Sequence, residues 1–241
     1  MTYCVGLLLD EGMVLLSDTR TNAGLDNIST YRKMFIYEDP GERVIVMMTS
    51  GSLSVTQTTI ARLDEAVHAI DAADRGSIMT CETMLQVAEM IGQTLSDVRV
   101  EIASKMSRAS ESASAAMIVA GQRRGGAMRM FLIYPEGNFI EATKDTPFLQ
   151  IGEHKYGKPI LDRVVRPETS LQDARKAALL SMDSTLRSNL SVGMPLDLVT
   201  VRAGACRIEE QRRIDANDET FQEMSLAWSQ ALRDAFTKIA I

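Results

Sequence analysis

Histidine and cysteine are scarce. His68 and His154 are the only histidines, so a three-histidine metal centre is excluded. Cys4, Cys81 and Cys206 are the only cysteines, odd in number and widely spaced. They suggest neither a disulfide framework nor a zinc-ligand set, and reduced thiols fit a cytoplasmic protein. The sequence calls for no metal and no cofactor. No apolar run approaches the roughly 18 residues needed to span a bilayer. The opening, MTYCVGLLLDEGMVLL, lacks a basic leader and carries Asp10 and Glu11 inside its apolar stretch; it reads as folded structure, not as a signal peptide. Positive charge is short too. A formal net charge of −6 leaves no basic field for gripping nucleic acid. Repeats, low-complexity tracts and linker-like segments are absent, so residues 1–241 read as a single domain. Arg123-Arg124-Gly125-Gly126 lacks the phosphate-loop pattern and reads as a hairpin turn.

What is present is periodicity that changes along the chain. Tyr3–Leu9 and Met13–Ser17 flank Asp10-Glu11-Gly12 and predict a β-hairpin. A polar stretch, Thr19–Arg32, follows. Met34–Tyr37 and Val44–Thr49, joined across Pro40-Gly41, predict a second hairpin. Ile60, Leu63, Val67 and Ile70 then recur at helical spacing. After a break near Arg75-Gly76-Ser77, Met84, Ala88, Ile91, Leu95, Val98 and Ile102 do the same. Each helix has one apolar stripe, so both belong on one face of a sheet. Strands resume at Ala115–Ala120, Arg129–Tyr134 and Asn138–Ala142. A third helix spans about Leu171–Leu190 with Ser170 as N-cap. Leu196–Val201 and Arg207–Ile214 predict another hairpin. Asn217 is expected to cap a last helix carrying Phe221, Met224, Trp228 and Leu232. Segregated runs of strands and helices indicate α+β rather than alternating βαβ. Two antiparallel sheets packed face to face, with helices outside both, would bury every stripe. The 15 methionines, Met47, Met48, Met128 and Met130 among them, read as core filler or subunit contacts.

Chemistry centres on Thr2. A small second residue favours removal of the initiator methionine, and Thr2 enters a strand at once. An N-terminal threonine carries its own base: the hydroxyl attacks and the α-amine takes the proton. That amine has an unperturbed pKa of about 7.7–8.0, and a neighbouring cation lowers it further. Taken alone, Met1-Thr2 is also an ordinary chain start.

Further motifs carry a resemblance. Thr2-Tyr3-Cys4-Val5-Gly6, Ser17-Asp18-Thr19-Arg20, Tyr31-Arg32-Lys33 and Thr49-Ser50-Gly51-Ser52, in this order, resemble proteasome β-type subunits. SDTRTNAGLDNIS, YRKMF and IGEHKYGKPILDR resemble the bacterial proteasome-related family called Anbu in particular, and the similarity runs over nearly the whole chain. It implies a four-layer αββα sandwich of the N-terminal-nucleophile hydrolase type, and self-assembly into a ring or open spiral ring. It implies hydrolysis of a peptide or amide substrate with Thr2 as nucleophile. Asp18 matches the carboxylate that holds the active-site lysine, and Lys33 matches that lysine. Gly51 matches the residue whose N–H faces the oxyanion. Ser191 matches a hydroxyl near the terminal amine. Arg20, Glu153 and Ser188 are the substrate-facing candidates. Taken singly, Asp18 also fits an Asx turn, Lys33 a solvated loop charge, Gly51 a strand-to-helix turn and Ser191 a helix stop.

Two departures narrow the expected activity. Ser188 stands where the proteasome pattern has aspartate, and Glu153 follows Gly152 where that pattern has serine. Glu153 adds negative charge near Thr2, which would hold the amine protonated and repel acidic substrates. Weak cleavage of generic peptides is expected. Lys33→Ala is expected to cost activity far more than stability, and Asp18→Asn somewhat less. Two other functions fit the same residues: a ring-forming scaffold with little peptidase activity, and an amidase for a specialised small amide. No residue identifies an unfoldase or pathway partner.

Overall fold

The computed structural model describes residues 2–22, 28–69, 76–106 and 113–240. Met1, residues 23–27, Ile70 of the first helical stripe and Arg75 of the following break lie outside the described residues.

Two five-stranded antiparallel sheets form the centre. The first hairpin is β1 (Tyr3–Leu9) and β2 (Gly12–Asp18), and the second is β5 (Met34–Asp39) and β6 (Arg43–Gly51). Each seeds one sheet. In the first sheet, β1 pairs on its other side with β10 (Phe148–Gly152), and β2 pairs with β11 (Leu196–Arg202), which pairs with β12 (Glu210–Ile214). In the second, β6 pairs with β7 (Ala115–Arg123), then follow β8 (Arg129–Ile133) and β9 (Phe139–Glu141). Two short strands, β3 (Arg20–Asn22) and β4 (Ile28–Thr30), pair separately. Helices α1 (Leu53–His68) and α2 (Met84–Met106) cover the second sheet. Helices α3 (Lys158–Val164) and α4 (Leu171–Ser188) cover the first, and α5 (Glu219–Lys238) lies on α4. This is the expected αββα order.

Three apolar layers follow from strand alternation. Val5, Leu7, Leu16 and Leu198 point toward α3 and α4. Cys4, Met13, Leu15, Val46, Met48 and Ile118 point into the space between the sheets. Ile45, Met47, Val119 and Phe131 meet Ile91 and Leu95 of α2. Central strands thus have both faces buried, which is why β1 and β6 read as unbroken apolar runs. Methionine fills the inter-sheet layer through Met13, Met34, Met48 and Met130, and Gly6 leaves room for the Met130 sulfur, which a Cβ there would approach to 2.5 Å.

Several elements differ from expectation. β3, β4, β10 and α3 are additional; three to seven residues are too few to show a period. The polar stretch before Lys33 therefore holds two strands. Helix α1 begins at Leu53, ahead of its apolar stripe. Helix α4 ends at Ser188, and Leu190 beyond it is 87% exposed. The cap of α5 is Asp218, not Asn217: its carboxylate accepts the Phe221 N–H at 2.9 Å, the third position of the helix. No helix among the described residues is long and apolar enough to cross a membrane.

Ser170 caps α4 as expected, accepting the Asp173 N–H at 3.1 Å. Ser170→Ala should lower stability by about 1 kcal/mol, read as a reduced urea midpoint with an unchanged slope.

Candidate active site

The centre of the site is a buried ion pair. Asp18 ends β2 at 0% exposure, and Lys33, just ahead of β5, is 5% exposed. Lys33 Nζ donates to Asp18 Oδ1 at 2.7 Å and to the Arg20 carbonyl at 2.6 Å. The same Asp18 oxygen accepts the Tyr3 N–H at 3.1 Å, and Oδ2 accepts the Gly193 N–H at 3.3 Å. Burial pushes the Asp18 carboxyl above the usual carboxylate range; the Lys33 charge, its hydrogen bond and the two amide donors pull it back. With the Lys33 ammonium and the Tyr3 N–H both hydrogen-bonded to one oxygen, the ammonium is a near neighbour of the peptide nitrogen that joins Thr2 to Tyr3.

The backbone on the other side of Thr2 is held as well. Thr2 is buried, and its carbonyl accepts the Glu153 N–H at 2.7 Å. Gly152 makes this possible. Its φ is +81°, and a Cβ there would lie 1.9 Å from the Thr2 oxygen, so only glycine fits. Tyr3 anchors the strand from below: its hydroxyl meets Ser181 Oγ and Gln150 Nε2, each at 2.6 Å. Burial, against those hydrogen bonds, pushes the Tyr3 hydroxyl up to about 12.

Thr49 joins the sheets at this end. Its N–H donates to the Lys33 carbonyl at 3.0 Å, and its carbonyl accepts the Cys4 thiol at 3.8 Å. Two residues on, Gly51 leaves β6 at φ +100°, and a Cβ there would come within 2.4 Å of the Ser114 carbonyl. Burial, then the Asp18 charge, holds the Cys4 thiol far above its ordinary range. The thiolate is the nucleophilic form, so Cys4 is no rival to a hydroxyl here.

The loop from α4 to β11 closes the group. Arg20 Nη1 donates to the Leu190 carbonyl at 2.9 Å, and its guanidinium lies where a Cβ of Gly193 would be, 2.1 Å from Nε. Thr19 fastens the same loop, with Oγ1 donating to the Pro195 carbonyl at 2.6 Å. Ser191 sits in this loop, half-buried, its N–H held by Asn189 Oδ1 at 2.9 Å. Of the eight residues singled out in the sequence, the structure joins Asp18, Lys33 and Arg20 directly. It sets Thr2 and Glu153 side by side through their backbones and brings Ser191 in on the Gly193 loop. Gly51 lies at the strand end next to them. Ser188 is exposed at the end of α4 and takes no part in these hydrogen bonds. The Tyr3 and Gly193 amide donors carry no side-chain signature, and sequence reasoning missed both.

The proteasome subunit family pattern matches residues 2–201. The solved Anbu (Gly-1) mutant from Hyphomicrobium sp. strain MC1 is 46% identical, covering 100% of this chain and 99% of that one, with a TM-score of 0.91. The structure described as the helical assembly of the Anbu complex from Pseudomonas aeruginosa is 39% identical, covering 100% and 98%, with a TM-score of 0.93. Proteasome subunit beta 2 of Pyrobaculum calidifontis is 25% identical over 210 residues, 86% of this chain and 91% of its own length.

Burial changes the expectation for Lys33→Ala. It would strand the Asp18 carboxylate in the interior, so it should cost stability by about 3–5 kcal/mol as well as activity. Asp18→Asn should cost as much, because an amide would turn a donor toward Lys33, Tyr3 N–H or Gly193 N–H. Thermal unfolding of both variants checks this; wild-type melting temperatures would contradict it.

Proposed function

We propose, from the premise that this chain belongs to the proteasome subunit family and its Anbu branch, that it is an N-terminal-nucleophile hydrolase of amide bonds. Thr2 is the nucleophile once Met1 is removed. The observation that carries this reading is the shared oxygen of Asp18, which gathers Lys33 and the amide following Thr2.

The Thr2 hydroxyl attacks the amide carbon, and its proton passes to the free α-amine. The Lys33 ammonium beside it favours loss of that proton. The oxyanion takes the Gly51 N–H, a contact of the kind worth about 2.7–4 kcal/mol in the transition state. The amine then protonates the departing nitrogen, the C–N bond breaks, and an ester remains on Thr2. Water cleaves the ester with the same amine as base. Ser191 supplies a hydroxyl near the amine, and Arg20 holds Lys33 through its carbonyl and the Gly193 loop through its side chain. Glu153 selects against acidic substrates and for those bringing a positive group. Generic peptides are therefore poor substrates.

The chain works as a homo-oligomer. Helix α5 supports this. Phe221, Ser225, Trp228, Leu232 and Phe236 share one face. Phe221 and Ser225 are buried, yet Leu232 and Phe236 on the same face are 50% and 80% exposed, and Ile239 just beyond is 72% exposed. An apolar stripe that outruns its own domain fits a contact with a second copy, and the Pseudomonas aeruginosa relative is described as a helical assembly.

Intact mass spectrometry after treatment with a peptide epoxyketone should show loss of Met1 and one adduct per chain, with no adduct on Thr2→Ala. Retained Met1 in labelled protein, or undiminished labelling of Thr2→Ala, overturns the mechanism.

Light scattering should give a mass many times the 26.5 kDa of one chain, and Leu232→Glu with Phe236→Glu should bring it down. A monomeric wild type at micromolar concentration refutes the assembly.

A further inference from the structure

Among the described residues, strand β5 ends its sheet, pairing with β6 on one side and with no strand on the other. The Thr49 N–H bond to the Lys33 carbonyl sets the phase of the ladder. In an antiparallel pair, successive residues direct their N–H and C=O to alternate sides. Lys33, Phe35 and Tyr37 therefore face β6, while Met34, Ile36 and Glu38 turn theirs outward. No backbone hydrogen bond among the described residues engages those outward groups. Strand β5 itself carries no proline or lysine of the kind that blunts such an edge, and the β11–β12 connection meets it at its far end, where the Glu38 carboxylate accepts the Ile208 N–H at 2.6 Å.

A cavity of about 460 Å³ follows this edge, within the range of ligand-binding clefts. Five consecutive residues, Met34 to Glu38, line it. Met34 and Ile36 point into the inter-sheet layer, and Phe35 and Tyr37 point toward α1 and α2. A cavity that touches both sets must lie against the edge of the strand. Its walls are Asp64, Val67 and Met79 on the helix side and Asp197, Val199 and Gln211 on the β11–β12 side. Three carboxylates line it, Glu38, Asp64 and Asp197, with Arg32 and His68 as the basic groups. Asp64 spends one oxygen on the Tyr37 hydroxyl. Asp197 gives one oxygen to Arg213 at 3.2 Å, and its other oxygen is buried without a partner.

We propose that the β5 edge is a strand-addition site for an extended peptide, which pairs with Met34, Ile36 and Glu38 and presents a lysine or arginine to Asp197. Main-chain hydrogen bonds supply the grip, and alternate side chains supply the choice. Residues facing α1 would meet Val67 and Met79 and should be apolar. Those facing β11 would meet the carboxylate. This site stands apart from Thr2 chemistry and does not depend on it.

The test uses the full-length protein as purified and a fluorescein-labelled, amidated Val-Lys-Val-Lys-Val peptide. Fluorescence anisotropy should show saturable binding, with Val-Glu-Val-Glu-Val binding at least tenfold more weakly. Ile36→Pro removes an outward N–H without touching the β6 ladder, a position where an edge strand tolerates proline; it should weaken binding at least tenfold. Asp197→Asn should weaken binding of the lysine peptide and leave that of Val-Gln-Val-Gln-Val unchanged. In the wild type, hydrogen exchange of the Ile36 and Glu38 amides should slow when the lysine peptide is added. Equal affinity in Ile36→Pro, equal binding of the acidic peptide, or no binding overturns the proposal. So does full protection of those amides in the free protein, which would mean that a second copy already covers the edge.

Discussion

The Asp18–Lys33 pair is the constraint around which this end of the molecule is built. Burying two charges costs several kcal/mol per ion, and mutual attraction offsets it only when the remaining valences are satisfied. Asp18 therefore draws in donors from three places: the Lys33 ammonium, the Tyr3 amide of β1 and the Gly193 amide of the α4–β11 loop. Lys33 in turn needs the Arg20 carbonyl. Satisfying one carboxylate thus aligns the start of β1, the end of β2, the entry to β5 and a loop more than 170 residues away in sequence.

Thr2 is positioned by its neighbours' backbones. Tyr3 is tied to Asp18 on one side, and the Thr2 carbonyl is tied to Glu153 on the other. Such close approach needs residues without a Cβ, and glycines stand where a side chain would collide: Gly152 over the Thr2 carbonyl and Gly193 under the Arg20 guanidinium. A backbone fixed on both sides of Thr2 leaves that residue little freedom beyond its own side-chain rotation, as expected of a residue held on rigid elements.

The periphery is less complete than the centre. The sandwich buries both faces of its central strands, but among the described residues β5 has one row of backbone groups without a strand partner, and α5 carries its apolar face past the residues it packs on. Both features are costly in an isolated chain and useful in one that meets other chains. They lie on different elements, so the helix can serve self-association while the strand edge serves an extended ligand.

Periodicity and turn chemistry in the sequence were enough to place three hairpins, four of the helices, the Ser170 cap and the α+β order, because each is set by residues a few positions apart. Tyr3–Leu9 read only as one arm of a hairpin; that both of its faces are buried came from the packing. Short elements such as β3, β4, β10 and α3 were not legible, since their pairing partners rather than their own composition define them. Thr2, Asp18, Lys33 and Gly51 could be singled out by the order of their motifs, which resembles a known family. Tertiary structure alone decided that Asp18 and Lys33 are buried, that backbone amides of Tyr3 and Gly193 join Lys33 on the carboxylate, and that Ser188 faces solvent. Hydrogen bonds from backbone N–H groups leave no mark on side-chain identity, and burial is a property of how distant segments close over one another. The resemblance proposes which residues carry the chemistry; the packing of two sheets determines what surrounds them.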